Sequence, residues 1–136
     1  FFCNVSEAQK ILNLDAGATE IKQLINGIHQ LGPKIVVITD GHAGAYASDG
    51  TGSWFMPIYP DPKPPLERTG AGDSFSATVT SALALGEPLQ TALAWGPINS
   101  MSVVQQIGAQ AGLLKREALE QFLTTAPADY KARPLD

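Results

Sequence analysis

The run Lys34-Ile35-Val36-Val37-Ile38-Thr39 constrains the fold more than any other segment of the chain. It is continuous, rich in β-branched residues and of strand length, which is typical of a strand covered on both faces. Ahead of it, apolar residues recur at helical spacing from a cap at Thr19, and Gly32-Pro33 stops the pattern. A buried strand preceded by an amphipathic helix predicts an α/β fold with helices covering a parallel sheet.

The remaining segments predict further strands and helices around this unit. Phe1 to Cys3 is interpreted as the end of a buried strand, followed by a short helix whose start is framed by Asn4 and Glu7. Ala45–Ser48 and 53–59 are expected to pair antiparallel across a turn at Asp49-Gly50. Three helices are predicted at 70–85, 89–106 and 115–123, and the tail from Pro127 is expected to be loosely held.

Composition limits the class of protein. A chain of 136 residues with 44% apolar content is enough for one globular domain over residues 1–136. Its net charge of −4 with no basic block disfavours nucleic acid or a membrane surface as a partner. No apolar run of membrane-spanning length or signal peptide is visible, and the single cysteine, Cys3, fits a reducing compartment, so a cytoplasmic protein is expected.

Residues 69–73 read Thr-Gly-Ala-Gly-Asp and lie between a proline-rich loop and a long predicted helix. The first amides of a helix lack internal partners and carry the positive end of the helix dipole, and Gly70 and Gly72 remove side chains that would block an anion. Asp73 would add a carboxylate able to accept a proton. The same residues also permit a plain interpretation, because Thr69 suits a helix cap and Asp is enriched in first turns.

Four segments together resemble the C-terminal part of the PfkB or ribokinase-like carbohydrate kinases. They are Asn4-Val5-Ser6-Glu7, the stretch 37–45, Thr69-Gly70-Ala71-Gly72-Asp73-Ser74-Phe75 and the stretch 99–109. The resemblance implies a ribokinase-like fold, a three-layer α/β/α sandwich with a mostly parallel sheet. It also implies ATP-dependent phosphorylation of a sugar or nucleoside-like hydroxyl, with ATP and Mg²⁺ as cofactors.

The resemblance assigns roles to particular residues. Asp73 would be the catalytic base, and the amides of Gly70, Ala71 and Gly72 would form the anion hole. The nucleotide would be bound by Thr39, Gly41, Asn99 and Thr69. We also weigh the structural alternatives: Gly41 serves a turn that any such loop needs, and a mid-helix Asn is more often solvent-facing or locally bonded.

Asn4 and Glu7 resemble a family motif that influences magnesium and phosphate binding, and the resemblance implies an indirect role through ordered water. An Asn followed three positions later by Glu at a helix start is also a capping box, and the same pair can serve both purposes. In many relatives a carboxylate just before the glycine motif belongs to a monovalent-cation site. Here Glu67-Arg68 replaces the usual Asp and small residue, which leaves K⁺ activation open.

The family's acceptor-binding half and lid would lie N-terminal to Phe1. We therefore expect this chain alone to be inactive on sugar, to bind ATP weakly, and to self-associate or pair with an N-terminal half. Two alternatives stay open: a non-catalytic nucleotide-binding or assembly module, and a vitamin-precursor kinase of the same superfamily, which the intact glycine motif disfavours.

Overall fold

The structure is a computed structural model that describes residues 1–15, 17 and 20–135. The chain forms two compact units, the first comprising Phe1–Phe55 with the terminal segment from Arg133 and the second Met56–Ala132. Each unit is described by itself below. The expectation of one domain over residues 1–136 stays a prediction.

The first unit is built on a sheet with the strand order β1-β2-β3-β4-β5. The strands are β1 Phe2–Asn4, β2 Val36–Thr39, β3 Ala45–Ser48, β4 Ser53–Met56 and β5 Arg133–Pro134. β1 pairs parallel with β2, whereas β2 with β3 and β4 with β5 are antiparallel. The expected α/β class is confirmed, but the expectation of a mostly parallel sheet is wrong for the strands this chain carries. A parallel connection needs a long crossover, and the five residues between β2 and β3 permit only reversal.

Two helices connect β1 to β2 and supply the crossover that makes this pair parallel. They are α1 Val5–Ile11 and α2 Ile21–Gln30. α2 buries Leu24, Ile25 and Ile28 to 2% exposure or less, in one cluster with Val36 and Ile38 of β2. The helical spacing and the branched strand therefore form one core, as their patterns predicted. The cap proposed at Thr19 lies outside the described residues.

The second unit contains three helices close to those predicted: α3 Ala71–Ala84, α4 Leu89–Val104 and α5 Arg116–Thr124. α3 and α4 approach closely at Gly96, where a Cβ would lie 2.7 Å from ring atoms of Phe75. α3 ends before Gly86, whose φ of 85° lies in the left-handed region that glycine tolerates. The glycine at position 96 thus sets the α3–α4 contact, and the one at position 86 ends α3.

The prediction of a loosely held tail from Pro127 is wrong. Tyr130 is 6% exposed, its hydroxyl donates to the carbonyl of Ala94, and its ring lies edge-on to Tyr59 at 4.9 Å between centroids. In the first unit, Arg133–Pro134 adds β5 beside β4. Propensity favours a tail here because proline and charge dominate the segment, but a single buried aromatic ring and one strand pairing hold it.

Candidate active site

The motif Thr69 to Asp73 opens α3, as its position in the sequence predicted. Gly70 is the N-cap, with φ 82° and ψ −1°, and no side chain caps the helix. The N–H groups of Gly70, Gly72 and Asp73 make no hydrogen bond to any described residue, while Ala71 N donates to Arg68 O at a long 3.3 Å. Three amide donors within one turn, two of them consecutive, are therefore available to a ligand at the positive end of a 14-residue helix.

The two glycines of the motif have different surroundings. A Cβ on Gly70 would lie 2.6 Å from the Cβ and 2.8 Å from the Cα of Ala109. A side chain at position 70 would therefore clash with Ala109. A Cβ on Gly72 would meet nothing within 4 Å. Gly70 is thus required by its left-handed backbone and by packing, whereas neither requirement applies to Gly72.

Asp73 lies in the first turn of α3, is exposed and makes no side-chain hydrogen bond to a described residue. Its neighbour Ser74 is buried and donates through its hydroxyl to Ala71 O at 2.9 Å, and Ser100 of α4 donates to the same carbonyl at 2.7 Å. These two hydroxyls hold the first turn of α3 through the carbonyl of Ala71. The carboxylate on its outer side is left free to accept a proton.

Glu67, which precedes the motif by two residues, bonds to groups on both sides of it. Its carboxylate accepts from the N–H of Gly108 at 3.0 Å. The interaction with the Thr69 hydroxyl, with a smaller contribution from Gly108, lowers the pKa of the Glu67 carboxyl group. Thr69 is therefore not the helix cap that its residue type suggested, since its hydroxyl is directed to Glu67.

Asn99 is buried in α4 at 4% exposure. Its Nδ2 donates to Thr78 Oγ1 of α3 at 2.7 Å, and its Oδ1 accepts from Leu114 N at 2.9 Å. The solvent-facing alternative considered for this residue is wrong, because the side chain joins two helices and the segment that follows α4. Its predicted contact with adenine stays a prediction.

Three of the other predicted residues lie at the carboxyl ends of the two parallel strands in the first unit. Asn4 ends β1, Thr39 ends β2, and the two are partners in the register. Gly41 lies two residues beyond Thr39, with φ 51°. Open α/β sheets bind ligands at the carboxyl ends of parallel strands, which is the edge these residues occupy.

The capping box predicted at the start of α1 is present. Glu7 N donates to Asn4 Oδ1 and Asn4 N donates to Glu7 Oε2, both at 2.8 Å. Glu7 Oε1 has no partner among the described residues, and both side chains are exposed. The cap therefore uses one carboxylate oxygen and leaves the other for a ligand.

Sequence reasoning assigned no role to Ser100 or Gly108. A serine in mid-helix carries no signal of its own, and Gly108 was noted only within the 99–109 stretch. No three His, Cys, Asp or Glu side chains cluster at metal-binding distance within the described ranges 1–15, 17 and 20–135. Over the same residues, no helix has the length and apolar character needed to cross a membrane.

Comparison with known proteins finds several that are similar to this chain. The profile of the pfkB family carbohydrate kinases matches residues 1–116. Ribokinase of Bacillus subtilis is 34% identical over 92 residues, which are 68% of this chain and 31% of that protein. Cytidine kinase of Thermococcus kodakarensis is 30% identical over 107 residues, 79% of this chain and 37% of that protein. The chain thus spans about a third of the length of these relatives.

A solved structure shows the fold. The putative ribokinase II of E. coli in complex with ATP and Mg²⁺ superposes with a TM-score of 0.77 over 91% of this chain and 38% of that protein, at 22% identity. The ribokinase-like fold predicted from the four sequence segments is confirmed by this likeness. Taken with the match over residues 1–116, it leads to one conclusion: the chain belongs to the pfkB family of carbohydrate kinases.

Proposed function

We propose that this chain supplies the anion hole, the catalytic base and the ATP site of an enzyme that phosphorylates a sugar or nucleoside-like hydroxyl. The observation that carries the proposal is the start of α3, where the unpaired N–H groups of Gly70, Gly72 and Asp73 accompany the exposed Asp73 carboxylate. Amide donors bind a phosphoryl group, and a carboxylate accepts a proton from an alcohol. The proposal thus places both requirements of the transfer within one helical turn.

In the proposed reaction, the acceptor oxygen forms a bond to the γ-phosphorus of ATP while the bond from that phosphorus to the β-γ bridging oxygen breaks, releasing ADP. Asp73 takes the proton of the hydroxyl. The amides of Gly70, Ala71 and Gly72 are proposed to stabilise the charge on the equatorial oxygens of the transferred phosphoryl group. Phosphoryl transfer depends mainly on such positioning and charge stabilisation, and a placed base contributes about 10²- to 10⁴-fold.

We propose Mg²⁺ as the metal, with Asn4 and Glu7 acting on it indirectly through water. Magnesium keeps several of its waters and is commonly held by one or two carboxylates together with substrate phosphates. The unpaired Oε1 of Glu7 fits this pattern, because the capping box occupies only Oε2. When bound, the metal would neutralise charge on the phosphates of ATP.

We assign nucleotide contacts to Thr39, Gly41, Asn99 and Thr69. Support for the first two comes from their place at the carboxyl edge of β2. The putative ribokinase II that shares the fold was solved with ATP and Mg²⁺. K⁺ activation is decided by measuring turnover in K⁺ against a large organic cation at equal ionic strength.

The acceptor class spans sugars and nucleosides, since one relative is a ribokinase and another a cytidine kinase. We propose that acceptor binding needs an N-terminal segment of the complete protein, that the 136-residue chain alone is inactive, and that it self-associates or pairs with that segment. β1 lies at one edge of the sheet, and an unpaired edge promotes association. A cytoplasmic location is proposed for the reaction. Sedimentation of the isolated chain tests the self-association.

The test is Asp73→Asn in the complete protein, with Asp61→Asn as the matched change of an exposed carboxylate in the proline-rich loop. A screen of sugars and nucleosides first identifies the acceptor. Asp73→Asn is expected to lower kcat by about 10²- to 10⁴-fold while ATP affinity and stability stay near those of the unaltered protein. Normal turnover by this variant would refute the proposed base. ATP binding by the unaltered protein with no turnover on any acceptor would favour the non-catalytic nucleotide-binding module instead.

A further inference from the structure

The anion hole depends on a backbone conformation that α3 does not fix by itself. Gly70 adopts φ 82°, and this left-handed residue sets the direction of the amides that follow. Its Cα faces Ala109, close enough that a Cβ would lie 2.9 Å from the carbonyl oxygen of Ala109. The position of the segment around Ala109 therefore helps decide how the amides of the motif are presented.

That segment, residues 105–112, has no regular structure of its own. It follows the end of α4 at Val104, and every residue from 106 to 111 is exposed. Its ends are held, because Gln105 Nε2 donates to Lys63 O at 2.9 Å and Ser102 Oγ donates to Gly112 O at 2.7 Å. Among the described residues, those from 106 to 111 otherwise bond only within the segment or to the end of α4. The hydrogen bond from Gly108 N to Glu67 is the one that links them to another part of the chain.

Glu67 is itself held on its other side. The backbone N–H groups of Leu66 and Glu67 donate to Val104 O at 2.9 and 3.4 Å. The main chain on which the Glu67 side chain stands is thereby fixed to the end of α4. A carboxylate that accepts from amide and hydroxyl donors makes stronger bonds than a neutral acceptor does.

We propose that Glu67 is a positioning residue, whose carboxylate ties segment 105–112 to the helix-start motif and thereby holds Gly70 and the anion-binding amides in their productive arrangement. The inference rests on the proposed kinase function for its consequence in turnover. The tie itself is a feature of the protein without substrate.

The length and the charge of the side chain both matter to the tie, and they can be separated. Glu67→Gln keeps the length but makes the acceptor neutral. Glu67→Asp keeps the charge but is shorter by one methylene, which breaks a 3.0 Å bond unless the backbone moves. Glu117→Gln, at an exposed first-turn position of α5, is the matched control for loss of one negative charge.

The first measurement is the exchange rate of the Gly108 amide proton by NMR in the complete protein without ligands. Exchange should be faster by about tenfold or more in both Glu67 variants and unchanged in Glu117→Gln. The second measurement is steady-state kinetics with the acceptor found in the screen. Glu67→Gln should lower kcat by about tenfold, with the acceptor KM and the urea midpoint close to those of the unaltered protein.

The outcomes separate the tie from the kinase function. Unchanged Gly108 exchange in Glu67→Gln overturns the tie, whatever the activity. Faster exchange with an unchanged kcat overturns the positioning role, and so does a kcat loss that merely follows a lowered urea midpoint. Faster Gly108 exchange in a protein whose unaltered form phosphorylates no acceptor supports the tie and overturns the proposed kinase function.

Discussion

Replacement of Gly70 by alanine should destabilise the second unit by a predictable amount. The left-handed backbone, with φ 82°, costs an L-residue about 1–2 kcal/mol. The added Cβ would lie 2.6 Å and 2.8 Å from Ala109 atoms, an overlap comparable to inserting a methylene into a packed core, which costs about 1–3 kcal/mol. Together these give a loss of about 2–5 kcal/mol, a large share of the stability of a typical domain.

Two other glycines separate the contributions. Gly86 has nearly the same φ, 85°, and a Cβ there meets nothing within 4 Å, so Gly86→Ala should show only the backbone cost of about 1–2 kcal/mol. Gly72 lies inside α3 with open space beside it, and Gly72→Ala should be neutral or stabilising by up to about 1 kcal/mol. That variant should nevertheless lose turnover under the proposed function, because it adds a methyl group between the two anion-binding amides of Gly70 and Asp73.

Urea unfolding at a common m-value measures all three changes in the free energy of unfolding. The expected order of stability is Gly72→Ala, then Gly86→Ala, then Gly70→Ala. If Gly70→Ala were as stable as Gly86→Ala, the close approach of Gly70 to Ala109 would be refuted. Equal turnover of Gly72→Ala and the unaltered protein would count against phosphate binding at the start of α3.

Three further predictions address single side chains. Glu7→Gln retains an acceptor for Asn4 N and removes the charge, so stability should hold while the Mg²⁺ concentration for half-maximal turnover rises; an unchanged Mg²⁺ titration would leave the pair as a helix cap alone. Asn99→Ala removes both buried bonds and should lower the free energy of unfolding by about 1–3 kcal/mol in urea, whereas a change within about 0.5 kcal/mol would contradict the bridge. Burial, and secondarily Tyr59, raises the pKa of Tyr130 above its ordinary value near 10. The stabilising contribution from this shift is complete below about pH 10 and falls as pH rises beyond it. Tyr130→Phe should therefore lower the free energy of unfolding by about 1 kcal/mol at pH 7, and that free energy should decline less between pH 8 and 11 than in the unaltered protein. Parallel pH profiles of the two proteins would refute the assignment.

Local patterns were enough to predict most helices and strands. The branched run before Thr39 and the spacing of Leu24, Ile25 and Ile28 predicted β2, α2 and their shared core, because burial follows directly from periodicity. The capping box of Asn4 and Glu7 was also predictable, since both partners lie within one turn. The resemblance carried by four segments, among them 69–75, predicted the family, and the match over residues 1–116 confirms it.

Contacts between distant segments were not predictable from any local pattern. Tyr130 lies in a segment rich in proline and charge, and its burial depends on the carbonyl of Ala94, 36 positions away. The strand pairing of Arg133–Pro134 likewise depends on a partner far along the chain. Local propensity describes only neighbours in sequence, so it assigned this segment to a loose tail.

By itself, the sequence determined that a glycine-rich helix start with an acidic residue would be present, because residue type and spacing alone dictate free amides and a nearby carboxylate. Only the tertiary structure decided which of these amides remain free, how closely Gly70 approaches Ala109, and that Glu67 accepts from Gly108, 41 positions away. Hydrogen bonds and steric contacts act at a few ångströms, and folding alone brings such residues within that range.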